Sequence, residues 1–239
     1  LSIRRQRQMC IRDRKNMASE PAENIKVHLT NLTGWQIENE LQGLQKLKPN
    51  DLYKFSWVAY SPNQNKTFEA VADVFYSMST KTSAKLRVYD NEYLETLKPE
   101  ESRKIKEGSA LLSSVTSKNT PISAKISLQQ PFILTSYVQT FPFVLEITNV
   151  GLGNPYADFS DYPPYERNKD YFRFEFQTNS TLRCDFENGE LVKLSNKSKN
   201  IVCRLFVTKD EVNNYSDFYV NFTLTYTYLD KASLKIKVE

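Results

Sequence analysis

Acidic and tyrosyl side chains crowd into one stretch of the chain, NPYADFSDYPPYERNKDYF at 154–172. It offers Asp158, Asp161, Glu166 and Asp170 as oxygen donors. Calcium needs several oxygens, so Asp158 and Asp161 are candidate ligands, although their spacing matches no calcium-loop signature. Tyr156, Tyr162 and Tyr165 could stack on a sugar or dock a protein, since tyrosine joins an apolar face to a polar tip. The alternative is a loop stiffened by Pro163 and Pro164 that packs its aromatics back on its own domain. A carboxylate pair for glycoside hydrolysis could be drawn from the same acids, but nothing in the sequence fixes its separation.

Other catalytic chemistry finds no footing. The only histidine is His28, inside a strand pattern, where a lone histidine is a surface or core residue. No Ser-His-Asp or Cys-His arrangement can be built without it. Six glycines form no phosphate-cradling loop, and HExxH and CxxC are absent. The residues therefore point to a non-catalytic protein with no cofactor.

Cysteines and sequons suggest export. Cys10 lies in a basic leader, leaving Cys184 and Cys203. Without nearby histidine or a second pair, these two read as a disulfide rather than a metal site, or else as two core thiols. Asn-X-Ser/Thr sequons begin at Asn31, Asn65, Asn179, Asn196, Asn214 and Asn221. About three would arise by chance from this composition. Together these features favour an extracellular or cell-surface location. No stretch is long and apolar enough for a helical membrane span.

The net charge of +4 is local. Residues 1–15, LSIRRQRQMCIRDRK, hold six Lys/Arg and one acid, and the remainder has 26 basic and 27 acidic residues. Beyond the leader no basic bias attracts nucleic acid or anionic lipid. The leader itself reads as a basic nucleic-acid or targeting arm, or as a scar outside the fold; it lacks the apolar run of a signal peptide.

These residues must be held by strands. Aromatics are 13% of the chain, which suits pleated, half-buried surfaces. Phe55, Trp57 and Ala59 alternate with polar neighbours. So do Phe141, Phe143, Leu145 and Ile147, and then Phe172, Phe174 and Phe176. The longest alternation puts Phe218, Val220, Phe222, Leu224, Tyr226 and Tyr228 inward, and Tyr219, Asn221, Thr223, Thr225 and Thr227 outward. Lys48-Pro49-Asn50-Asp51, Glu187-Asn188-Gly189 and Leu229-Asp230-Lys231 are turn signals. Pro99, the early Glu100 and Glu101, the later Lys104 and Lys106, and Gly108 predict a short helix from about Pro99 to Glu107.

The chain also repeats itself. VFYSMSTKTSAKLRV at 74–88 aligns without a gap on LTYTYLDKASLKIKV at 224–238, sharing Tyr76/Tyr226, Lys81/Lys231, Ser83/Ser233, Lys85/Lys235 and Val88/Val238. A repeat at this spacing implies one domain type used twice. Each copy reads as strand, turn, strand, the closing hairpin of a module.

FVLEITNVGLG at 143–153 resembles the second strand and T-x-N-x-G corner of prokaryotic immunoglobulin-like surface modules of the cell-adhesion-related (CARDB-like) type. LQKLKPNDLYKFSWVAYSPNQNKTFEAVADV at 44–74 resembles their next signature, with Asn50 where glycine is usual. The pattern is also similar to repeat modules of archaeal surface proteins, and RRQRQMCIRDR resembles translated sequencing-adapter sequence. The resemblance implies presentation or adhesion and carries over no catalytic residue.

The expected fold is all-β: two tandem immunoglobulin-like antiparallel β-sandwich domains joined by a short helix-containing linker. The boundaries are an artefactual or disordered leader at 1–15, a first domain at 25–90, expected to be truncated at its N-terminal side, a linker with a short helix at 91–120, and a second domain at 122–239. The expected function is a surface or adhesion fragment acting as spacer or presentation module, with a protein or glycan partner at the cell surface and no nucleic acid. The alternative is a carbohydrate- or calcium-binding accessory module of a secreted enzyme.

Overall fold

The computed structural model describes residues 6–10, 14–62, 64–128, 130–157, 168–178 and 181–238. In chain order the first half runs β1 (Gln6–Cys10), β2 (Arg14–Lys15), β3 (Ala22–Thr30), β4 (Gln36–Glu38), β5 (Leu41–Leu47), β6 (Leu52–Tyr53), β7 (Ser56–Tyr60) and β8 (Thr67–Asp90). Two helices follow, α1 (Asn91–Thr96) and α2 (Pro99–Lys106). The second half runs β9 (Leu111–Thr116), β10 (Ile122–Ser127), β11 (Phe132–Leu134), β12 (Val138–Asn149), β13 (Asn154–Tyr156), β14 (Tyr171–Thr178), β15 (Thr181–Cys184), β16 (Glu190–Lys193), β17 (Ser198–Thr208) and β18 (Tyr215–Lys237). The chain is mostly β, and its strand pairs are antiparallel except β11 on β8.

The repeated segments lie in β8 and β18, and neither is a hairpin. Each belongs to one unbroken strand, of 24 and 23 residues, and the two strands pair with each other along their whole length. The polar Leu229-Asp230-Lys231 run, expected as a turn, stays in the ladder, where Lys231 stands opposite Asp73 with 3.5 Å between ammonium and carboxylate. At about 3.3 Å per residue the ribbon is roughly 75 Å long. Ser77 sits opposite Thr227, its own partner in the sequence repeat, with their hydroxyl oxygens 3.5 Å apart. Repeat and ladder coincide there, so a local two-fold axis passes between these two residues.

The surrounding strands obey the same symmetry. The large sheet has the order β16-β14-β18-β8-β3-β5, which reads alike from either edge. β4 follows β3 and pairs with β7, which leads into β8; β15 follows β14 and pairs with β17, which leads into β18. β1 and β12 pair with β7 and β17 in turn. Two smaller sheets, β1-β7-β4 and β10-β12-β17-β15, cover the large sheet. The segment set apart as a leader therefore contributes strand β1, and Arg14–Lys15 pairs with β6. The segment expected as a linker holds α1, α2 and β9, and β9 joins the edge of β8.

Strand alternation builds one continuous core. Even-numbered residues of β8 and β18 face inward, among them Ala70, Ala72, Leu86, Val88, Val220, Phe222 and Leu224, all 3% exposed or less. Trp57 and Ala59 cover the first half, and Phe143, Leu145, Ile201 and Leu205 cover the second. Phe222 stacks on Phe174 and meets Phe143 edge-on. Some buried polar groups are paired within this core: Thr80 donates to the Ile122 carbonyl at 2.8 Å and lies 3.0 Å from the Tyr226 hydroxyl. Burial pushes the Tyr226 phenol up and the Tyr228 phenol to about 12.

The other two expected turns form, at Pro49-Asn50 and Asn188-Gly189. Asn50, where glycine was expected, has φ +66°, a left-handed conformation that asparagine tolerates. Gly189 has φ +87° in its Asn-Gly turn. The Thr148-Asn149-Val150-Gly151 corner closes on itself: Asn149 donates to the Gly153 carbonyl at 2.9 Å, and its carbonyl oxygen accepts from the Gly151 amide and the Tyr228 hydroxyl.

Candidate binding surface

The ribbon has two unlike ends. At the Thr67 end, Lys237 pairs with Thr67 and Gln6 pairs with Tyr60, so both described chain ends leave there. At the Asp90 end, polar and aromatic side chains gather on the outward positions of β8 and β18.

Asp217 is the centre of this surface. It accepts two hydrogen bonds from Arg87, at 2.6 and 2.9 Å, and the Lys85 ammonium lies 2.8 Å away. The Arg87 hydrogen bonds, aided by Lys85 and opposed by desolvation, hold its carboxyl down at about 2. Arg87 and Lys85 are raised in return, each chiefly by hydrogen bonding to Asp217. The cations in turn sit over rings: Arg87 lies 4.2 Å from the Tyr215 centroid and Lys85 5.6 Å from that of Tyr219. Tyr89 and Tyr93 flank Tyr215, with centroids 6.0 and 6.5 Å from it. Tyr215 and Tyr219 are nevertheless 47% and 52% exposed. Fixed cations beside half-exposed tyrosines form a surface suited to the C–H face of a sugar or to a protein side chain.

A polar pocket of about 290 Å³ opens beside it, lined by Asp90, Glu92, Tyr137 and Lys209 among others. Asp90 is buried and accepts from Lys209 at 2.6 Å, with Glu92 3.4 Å from the same ammonium. Tyr137 donates to Asp210, which raises its phenol. The Asp90 amide donates to the Asn214 carbonyl, tying pocket and tyrosine face together.

The residues singled out from sequence are dispersed. Cys184 and Cys203 form the expected disulfide, directly opposite each other on β15 and β17. Tyr156 is not available for stacking: it is 3% exposed and packs on Phe75 and Leu229, because β13 pairs with β18 there. Asp158, Asp161, Tyr162 and Tyr165 lie outside the described residues, as does Asn179. The other sequon asparagines, Asn31, Asn65, Asn196, Asn214 and Asn221, are all exposed. His28 sits in β3 with its Nε2 3.7 Å from Glu40. Among the described residues no group of His, Cys, Asp or Glu is arranged to hold a metal, and no helix is long and apolar enough to cross a membrane.

The cluster around Asp217 was missed in the sequence. The outward position of Tyr219 was legible from alternation. The convergence on Asp217 was not, because the ladder brings Arg87 to a residue 130 positions away. No family model matches the chain, and no curated protein matches it.

Proposed function

We propose that this chain belongs to a non-catalytic extracellular surface or adhesion protein, and that its two halves act as immunoglobulin-like modules presenting a binding surface. The shape of the β8–β18 ribbon supports this. Both halves share it, so it resists bending between them, and both described chain ends leave from the Thr67 end. The Asp90 end lies opposite, at the far end of the ribbon. That end carries Tyr93, Tyr215, Arg87 and the adjoining pocket, and tyrosine and arginine dominate the energetics of protein interfaces. The Cys184–Cys203 disulfide and the exposed sequons fit an oxidising, extracellular setting. The partner is a protein or glycan of the cell surface.

Binding of the purified chain to a glycan array and to intact cells tests this. Tyr93→Ala combined with Tyr215→Ala should weaken binding at least about tenfold, as truncation of two interface anchors does. Binding unchanged by the pair, or absent from the unaltered chain on both supports, would overturn the presentation role.

A further inference from the structure

We propose that Asn221 carries an N-linked sugar and that Tyr219 is the platform on which its first residue stacks. The proposal rests on the export reading above and adds to it a specific site. In a strand, residues two apart line one face. Phe218, Val220 and Phe222 fill the core, which leaves Tyr219, Asn221 and Thr223 in a row on the outer face of β18. The acceptor amide, the sequon hydroxyl and an aromatic ring are thereby aligned by the strand itself.

Spacing and surroundings fit a sugar. Alternate Cβ atoms along a strand are about 7 Å apart, a distance that one pyranose linked through the carboxamide bridges. Asn221 stands opposite Ser83 on β8 and Gln177 on β14, and the short serine leaves room beside it. Tyr219 is 52% exposed even with Lys85 hydrogen-bonded to it, so the exposed part of its ring can receive the C–H face of the pyranose. Among the six sequons only Asn221 has an aromatic residue two positions before it; the others have Leu29, Asn63, Gln177, Leu194 and Val212 there.

Secretion from a eukaryotic cell line that adds high-mannose N-glycans provides the test, read by intact mass and by thermal unfolding. Asn221→Gln and Thr223→Ala should each remove the mass of one glycan. Asn221→Gln should also lower Tm by about 2 °C when Tyr219 is present, and not when Tyr219→Ala is combined with it. An unmodified Asn221 in secreted protein whose other sequons are occupied overturns the proposal and leaves the export reading standing. Secreted protein bare at all six sequons overturns both. An occupied Asn221 with a Tm change independent of Tyr219 overturns the platform.

Discussion

Asp217 shows how a single carboxylate organises an exposed face of a sheet. Its two hydrogen bonds from Arg87 fix the guanidinium plane, and that plane then lies against Tyr215. Lys85 takes the remaining acceptor capacity and leans toward Tyr219. Removing the carboxylate would leave two neighbouring cations to repel each other and would release both rings. The folded carboxyl titrates at about 2, below its ordinary value of 3.8. Its contribution is therefore fully present above about pH 4 and is lost as pH falls through about 2. Because the group is partly solvated, that contribution is about 1 kcal/mol. Urea unfolding of Asp217→Asn should show lower stability at pH 6 and a flatter decline between pH 4 and pH 2 than the parent. An acid limb of unchanged steepness would remove Asp217 as its source.

At the scale of elements, β13 depends on two close approaches. A Cβ on Gly153 would lie 1.9 Å from the Leu229 carbonyl oxygen, and one on Gly151 would lie 2.2 Å from the Tyr228 hydroxyl. Neither neighbour can withdraw, since Leu229 is in the ladder and Tyr228 is held by Asn149. Gly153→Ala should thus cost about 3 kcal/mol by forcing β13 off β18. Gly189→Ala meets open space but has φ +87°, and should cost only about 1 kcal/mol. Equal denaturation midpoints for the two variants would refute the difference. Strands of this kind were legible where one face is buried: Phe55/Trp57/Ala59, the Phe141–Ile147 run and the Phe218–Tyr228 run sit as their alternation required. The helix over Pro99–Lys106 followed from its end residues. β9 and α1 were not legible. Four of the six residues of β9 are exposed, and its place depends on the free edge of β8. The two supposed hairpins failed for a related reason. Polar residues in mid-strand look like a turn until their cross-strand partners, here Asp73 for Lys231, are known.

For the whole molecule, sharing β8 and β18 has a thermodynamic consequence. Residues 67–76 of β8 pack under the sheet of the first half, and the same strand continues under that of the second. Neither half can lose its last strand without opening the other, so the chain should unfold as one cooperative unit. Two local probes can test this. Both tryptophans, Trp35 and Trp57, lie in the first half and are buried there. The disulfide lies in the second half, on β15 and β17, and closes a sequence separation of 19 residues. Replacing it by Cys184→Ala with Cys203→Ala should cost about 3 kcal/mol in the chain-entropy model. If unfolding is one event, the urea midpoint seen by tryptophan fluorescence must fall as far as the midpoint seen by far-UV circular dichroism, although both tryptophans belong to the first half. If the fluorescence midpoint stays in place while the dichroism curve splits into two transitions, the halves unfold separately. The shared ribbon would then be a seam between two modules and not the spine of one rigid body.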